Sequence, residues 1–216
     1  MKAILIDGDL APELRNGGER RILTRGGASE HGGAAARHAS ALARALRHHA
    51  PMAVIDSYVV FRDGLATDVA TIIAALEAAA ETEARLVHCS FGLGRADDGL
   101  AWAVERLVGQ GKLVVASAPA SGAAVYPAAL PNVFAVQGDA RCGPVDWTWL
   151  AEETPQAEFA AHAGRVGDPV RGASLAAAHF SGLMLARLEL AKDMRDYMRR
   201  SARYLGRERR CHPQPA

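Results

Sequence analysis

The sequence predicts an α/β domain, a mostly parallel central sheet with helices on both faces, on two observations. Apolar runs of strand length alternate with helical patterns, and those runs are continuously apolar rather than apolar at every second residue. Strands covered on both faces have that pattern, because neither row of side chains meets water. At 216 residues, half of them hydrophobic, the chain is long enough to bury one sizeable core and short for two.

The elements follow in order. "KAILID" (2–7) reads as the first strand, and "GAAARHASALARALRHH" (33–49) as the first long helix. Between them "ELRNGGERRILTRGGASEHGG" (13–33) is crowded with Gly and Arg and reads as a long mobile loop, of the kind that lines sites. "MAVIDSYVVF" (52–61) is a strand, followed by a helix in "DVATIIAALEAAAETEA" (68–84) that Thr67 or Asp68 can cap. "RLVHCS" (85–90) is the next strand, and Asp97 or Asp98 can cap the helix in "GLAWAVERLVGQG" (99–111). "KLVVASA" (112–118) and "NVFAVQG" (132–138) complete the clear strands; 138–173 reads as irregular with one or two short strands. "RGASLAAAHFSGLMLA" (171–186) is a buried helix started by Gly172 and Ser174. Residues 1–190 form the body, and 191–216 a basic tail, helical to about Leu205 before Gly and Pro stop it. Its seven arginines outnumber its acids, a solvated face or a docking surface for an acidic partner protein.

With 25 basic and 24 acidic residues the chain has no overall field that would gather nucleic acid or an anionic membrane. "MKAILIDGDL" is broken by Asp7, so it reads as neither signal peptide nor membrane span, and a cytoplasmic location is expected. Cys89, Cys142 and Cys211 lack the number and spacing of a disulfide framework or zinc site, so no metal or cofactor is expected.

In a parallel sheet, sites gather at the carboxyl ends of the strands. Asp7 ends the first strand, His38 lies early in the first long helix, and Ser174 starts the last large one. A carboxylate, an imidazole and a hydroxyl are what nucleophilic acyl transfer needs: the imidazole takes the hydroxyl proton, and the acid fixes its tautomer and stabilises its charged form. Singly, each has a plain structural reading as turn former, packing residue or helix cap.

In this order the strings around them resemble the subtilisin-like serine proteases. "ILIDGDLAP" is similar to the strand ending in that family's catalytic Asp, "HASALARAL" to its His-Gly-Thr-x-Val-Ala helix start, and "GASLAAAHFSG" to the Gly-Thr-Ser-Met-Ala-x-Pro-His-Val-x-Gly stretch around its nucleophile. "VHCSFG" resembles the substrate-cleft strand, and "KLVVASAPASGAAVYPAALPNVFAVQG" the stretch that carries the oxyanion asparagine and then Tyr-Pro-x-x-x-Pro-x-Val. The resemblance spans about residues 2–190 and implies a catalytic Asp7, His38 and Ser174. His31, although its "HGG" keeps the His-Gly pair, is a loop residue on this reading, since His38 leads directly into the Leu/Ala helix. Ser90, Phe91 and Gly92 would offer a strand edge to an extended peptide, with Tyr126 and Phe91 bordering the pocket before the cut. His179 matches a structural position of the family.

The departures concentrate in the support. Ala120 stands at the position of the family's asparagine, leaving the Ser174 backbone N–H as oxyanion donor, with Ser117 and Ser121 as candidate replacements. Losing that side-chain donor costs about a hundred- to thousandfold in turnover, a magnitude established in subtilisin itself. Ala173 replaces the Thr before the nucleophile, Ala178 the proline, and Gly8-Asp9 the usual Ser/Thr-Gly. The expected function is a serine endopeptidase acting on a specific precursor peptide, with narrow recognition offsetting a weakened oxyanion hole. Two alternatives stand beside it. One is a catalytically impaired relative that binds a peptide or partner protein. The other is a magnesium-dependent phosphatase of the haloacid-dehalogenase type, with Asp7 as nucleophile, Asp9 as acid/base, Asp139 or Asp146 on the metal, and Ser90 and Lys112 in support.

Overall fold

The alternation within the first strand, β1 (Lys2–Asp7), sets the layers: Ala3 and Leu5 enter the core on one face, Ile4 and Ile6 the core on the other. The computed structural model describes residues 1–24, 33–151 and 156–208. Helices α2 (Ala34–His49) and α5 (Ala173–Leu185) cover the first face, and α3 (Val69–Ala80) and α4 (Asp98–Gly109) the second. The strands are β2 (Arg20–Ile22), β3 (Val54–Val59), β4 (Leu86–Cys89), β5 (Leu113–Ser117), β6 (Phe134–Gly138), β7 (Trp147–Trp149), β8 (Phe159–Ala161) and β9 (Tyr204–Leu205). They form one sheet in the order β2-β3-β1-β4-β5-β6-β8-β7-β9, parallel except where β7 runs against β8. This is the α/β architecture with a mostly parallel sheet that the apolar runs predict. Asp68 and Asp97 are the caps of α3 and α4, accepting from the N–H groups of Thr71 and Leu100.

Two segments differ from expectation. Residues 13–24 are not simply loop: a single turn, α1 (Pro12–Arg15), leads into β2, which pairs with β3 at the sheet edge. As an exposed edge strand, β2 lacks the apolar signature of the central ones. The C-terminal helix, α6 (Met194–Arg200), is shorter than the run from Ala191 to Leu205, because Tyr204 and Leu205 leave it to pair with β7. Arginines of this helix and the turn after it are engaged within the chain: Arg195 and Arg199 pair with Glu158, Arg200 with Asp196, and Arg203 with Asp146. Among the described residues, no helix is long and apolar enough to cross a membrane.

Helix α5 is apolar nearly all round, as a helix sandwiched between a sheet and a second helix must be. It packs backbone to backbone on α2 at Gly182, where an added Cβ would lie 2.3 Å from the carbonyl oxygen of Leu46. Nearby, four imidazoles cluster. His49 Nε2 and His179 Nδ1 are 3.0 Å apart and share one proton in a hydrogen bond, with the His48 and His162 rings against them. Burial, and then the neighbouring His48 and Arg187, hold His49 down to about 4. Burial, and then His49, His162 and His48, hold His179 down to about 3.

Gly182→Ala is therefore expected to push α2 and α5 apart at a cost of about 1–3 kcal/mol, read from the urea midpoint. The folded state keeps both histidines neutral while the unfolded chain protonates them near pH 6.5, so stability is full above that value and falls as pH drops towards 4 and 3. By pH 5 the loss from buried His179 alone is on the order of 2 kcal/mol, and a His49→Gln variant should show a shallower decline of melting temperature between pH 7 and 5.

Candidate active site

The site begins with a buried carboxylate. Asp7 ends β1 with no exposure, and its Oδ1 accepts from the backbone N–H of Gly8 at 2.7 Å. Gly8 has no room for a side chain, since a Cβ would sit 2.3 Å from the carbonyl oxygen of Ala35. That contact lets the first turn of α2 lie directly on the exit of β1 and brings His38 to Asp7. His38 Nδ1 is 3.0 Å from both carboxylate oxygens. A carboxylate only accepts, so Nδ1 carries the proton and Nε2 is left as the basic nitrogen. The Ser90 hydroxyl also donates to Asp7 Oδ2, from just beyond β4, the neighbour of β1.

Ser174 enters from the other helix. Gly172, not Ser174, is the cap of α5, with φ 99°, a left-handed value suited to glycine. Its N–H donates to Ala163 at 2.8 Å, which anchors the turn. Ser174 thus lies in the first turn, among backbone N–H groups that have no acceptor within the helix. Its hydroxyl donates to the carbonyl oxygen of Ser90 at 3.5 Å. His38, Ser174, Ser90, Phe91 and Gly92 line one cleft of about 350 Å³, together with Phe61, Leu65 and Ile72. A larger cavity of about 660 Å³ shares His38 and Leu65 with it. Phe91 and Gly92 lie between the end of β4 and the Leu93–Tyr126 bridge, with no backbone hydrogen bond among the described residues. Tyr126 lies outside that lining, its backbone paired with Leu93.

Ala120 is exposed in the turn after β5; Ser117 is buried at the end of that strand, and Ser121 is exposed beside Ala120. Cys89 is fully buried and burial pushes its thiol up, while Cys142 is pushed up to about 11, chiefly by burial. His31 and Cys211 lie outside the described residues. His179 sits in the imidazole cluster rather than in the cleft.

The phosphatase alternative does not fit this geometry. The carboxylate of Asp9 is clamped by Arg20, Nε to Oδ1 at 2.8 Å, and Asp139 by Arg141 and by the Thr148 hydroxyl at 2.7 Å. Asp139 follows β6, three strands from β1, and Asp146 pairs with Arg203. Lys112 donates to the carbonyls of Thr82 and Ala84, before the start of β5 and so at the opposite end of the sheet from Asp7.

Residue-type reasoning missed three supports. The Ser90 hydroxyl reaches Asp7, although on the protease reading the sequence gives Ser90 a part only as cleft backbone. Arg20 holds Asp9, and His88, buried in β4, bonds Ser181 of α5 at 2.9 Å. Burial holds His88 down to about 4, so it is a neutral strut.

No family model and no curated protein matches the chain. Solved structures do. The protease domain of PatA, determined as a serine-to-alanine mutant, aligns over 91% of this chain and 84% of its own, at 20% identity and a TM-score of 0.64. The prenylagaramide maturation protease PagA aligns over 88% of this chain and 76% of its own, at 18% identity and a TM-score of 0.59. The fold is the subtilisin-like one that the strings around Asp7, His38 and Ser174 imply.

Replacing Arg20 with Met removes the guanidinium that clamps the buried Asp9 carboxylate. The expected loss is about 2–3 kcal/mol, below that of a fully buried pair because the guanidinium is 29% exposed. Adding Asp9→Asn should recover part of it, as compared by chemical denaturation of the single and double variants.

Proposed function

We propose that this subtilisin-like fold carries a serine endopeptidase, with Ser174 as nucleophile, His38 as general base and then acid, and Asp7 as the group that orients and charges the imidazole. The observation behind it is the Asp7–His38 contact, 3.0 Å to each oxygen, at the foot of a cleft that His38 shares with Ser174. Ser90 joins the two halves, its hydroxyl on Asp7 and its carbonyl receiving the Ser174 hydroxyl. When that hydroxyl turns to His38 Nε2, it becomes the attacking group, a tightening expected on substrate binding.

In the reaction so read, Ser174 Oγ adds to the scissile carbonyl as His38 takes its proton. The carbonyl oxygen becomes an oxyanion facing the Ser174 N–H at the positive end of α5. His38 then protonates the leaving amine, and water, activated by the same ring, releases the acyl group. The unpaired backbone at Phe91 and Gly92 suits an extended peptide added along the strand edge. A specific precursor peptide is the favoured substrate class, a reading to which the printed name of PagA, a maturation protease, lends support.

Incubation of the purified protein with a fluorophosphonate probe, with the adduct located by mass spectrometry, tests this. Labelling at Ser174 is expected, and it should be lost in Ser174→Ala and fall by about a thousandfold or more in His38→Ala. A folded protein that takes no label, but retains peptide binding, would be the non-cutting relative for which Ala120 argues.

A further inference from the structure

The cavity of about 660 Å³ that shares His38 and Leu65 with the cleft does not include Ser174 among its lining residues. Chemistry assigns the two spaces to the two halves of a peptide cut at Ser174. The acyl half stays bonded to Ser174, in the cleft with Phe91 and Gly92. The amine half leaves with a proton from His38, and the larger cavity is lined by His38 without Ser174. Along that cavity runs a face of α2, on which Arg37, Ser40, Ala41 and Arg44 follow at helical spacing. Pro169 and Val170 add apolar surface, and the acid among its described lining residues, Asp9, is buried and clamped by Arg20.

Arg44 is exposed, and among the described residues it has no hydrogen bond or ion pair. Arg37, by contrast, already has an interaction of its own. Arg44 also lines a smaller cavity of about 250 Å³ with Arg47, whose guanidinium donates to the backbone carbonyls of Glu13 and Pro51 rather than to a carboxylate. The end of the larger cavity at Arg44 is therefore positive.

We infer that Arg44 selects the substrate on the leaving side of the cut, by pairing with an acidic side chain two or three residues after the scissile bond. The inference rests on the protease reading above and names a substrate class for it, a precursor whose released half carries Asp or Glu close to its new amino terminus. The spacing follows from the helix. Arg44 lies six residues after His38, about 9 Å along α2, and an extended peptide advances about 3.3 Å per residue. A guanidinium takes a carboxylate through two parallel N–H bonds, so it favours an acid over the amide of the same shape.

The test replaces water with a peptide amine in the second half of the reaction. With the p-nitrophenyl ester of an acylated amino acid, Ser174 displaces p-nitrophenol to give the acyl-enzyme. The peptide amine then attacks the ester carbonyl, an amide bond forms, and the Ser174 oxygen leaves and regains its proton through His38. The ratio of amide to hydrolysed acid is measured for Gly-Asp-Ala and Gly-Ala-Asp amides against their Asn and Lys counterparts. One of the Asp peptides should capture the acyl group about threefold or more better than its Asn counterpart, an advantage that shrinks at about 1 M salt. Arg44→Gln should abolish the advantage, Arg44→Lys should keep part of it, and Arg44→Glu should favour the Lys peptide. Circular dichroism establishes that each variant is folded. Equal capture of Asp and Asn peptides by the unmodified protein, or none, overturns the inference, as does an Asp preference that survives in Arg44→Glu. If p-nitrophenol release does not depend on Ser174, the protease reading falls and this inference with it.

Discussion

The approach of α5 to α2 at Gly182 is the constraint on which the site depends. His38 lies eight residues before Leu46 on one helix, and Ser174 eight residues before Gly182 on the other. Both side chains therefore stand about 12 Å along their helices from a crossing where backbone meets backbone. A methyl group at that point would separate the helices and, through them, the imidazole and the hydroxyl. Gly8 plays the matching part at the other end, letting α2 settle on β1 so that Asp7 reaches His38. Interiors are too densely packed to absorb such shifts locally, so distance in the cleft is fixed by volume outside it.

Charge completes what packing begins. Four aspartates are buried among the described residues, and three of them face a permanent cation: Asp9 faces Arg20, Asp56 faces Lys2, and Asp139 faces Arg141. Burial works against the ionised form of Asp139, but Arg141 and Thr148 outweigh it and hold its carboxyl below the usual range. Asp7 is answered instead by an amide, a hydroxyl and an imidazole. Its charge is solvated by dipoles rather than cancelled, and this leaves it available to the one neighbour that can gain a proton. In the proposed reaction that neighbour is His38, and the difference between Asp7 and the other three is what makes Asp7 useful.

Most of the fold is legible in the sequence because its signals are local. The central strands are apolar on both faces, the caps Asp68 and Asp97 stand directly before their helices, and Gly172 marks the turn into α5. The residues of the proposed site, Asp7, His38 and Ser174, each stand in a short string similar to a family motif. What escapes is made by distant partners. β2 is a strand only because β3 offers it an edge, and Tyr204–Leu205 leave the helical pattern only because β7 does the same. Ser90 meets Asp7 across 83 residues, and Arg207 meets Ala120 across 87. No composition or period near either residue announces such a meeting.

The placement of β1 in the interior of the sheet has a consequence for the order of events during synthesis. Its neighbours β3 and β4 come from 54–59 and 86–89, and the helix that completes the cleft is not made until 173–185. Contacts this far apart in sequence form late and slowly, because the intervening chain must be ordered first. A growing polypeptide thus carries Asp7 and His38 long before it carries Ser174, and the cleft exists only once α5 has been made and packed.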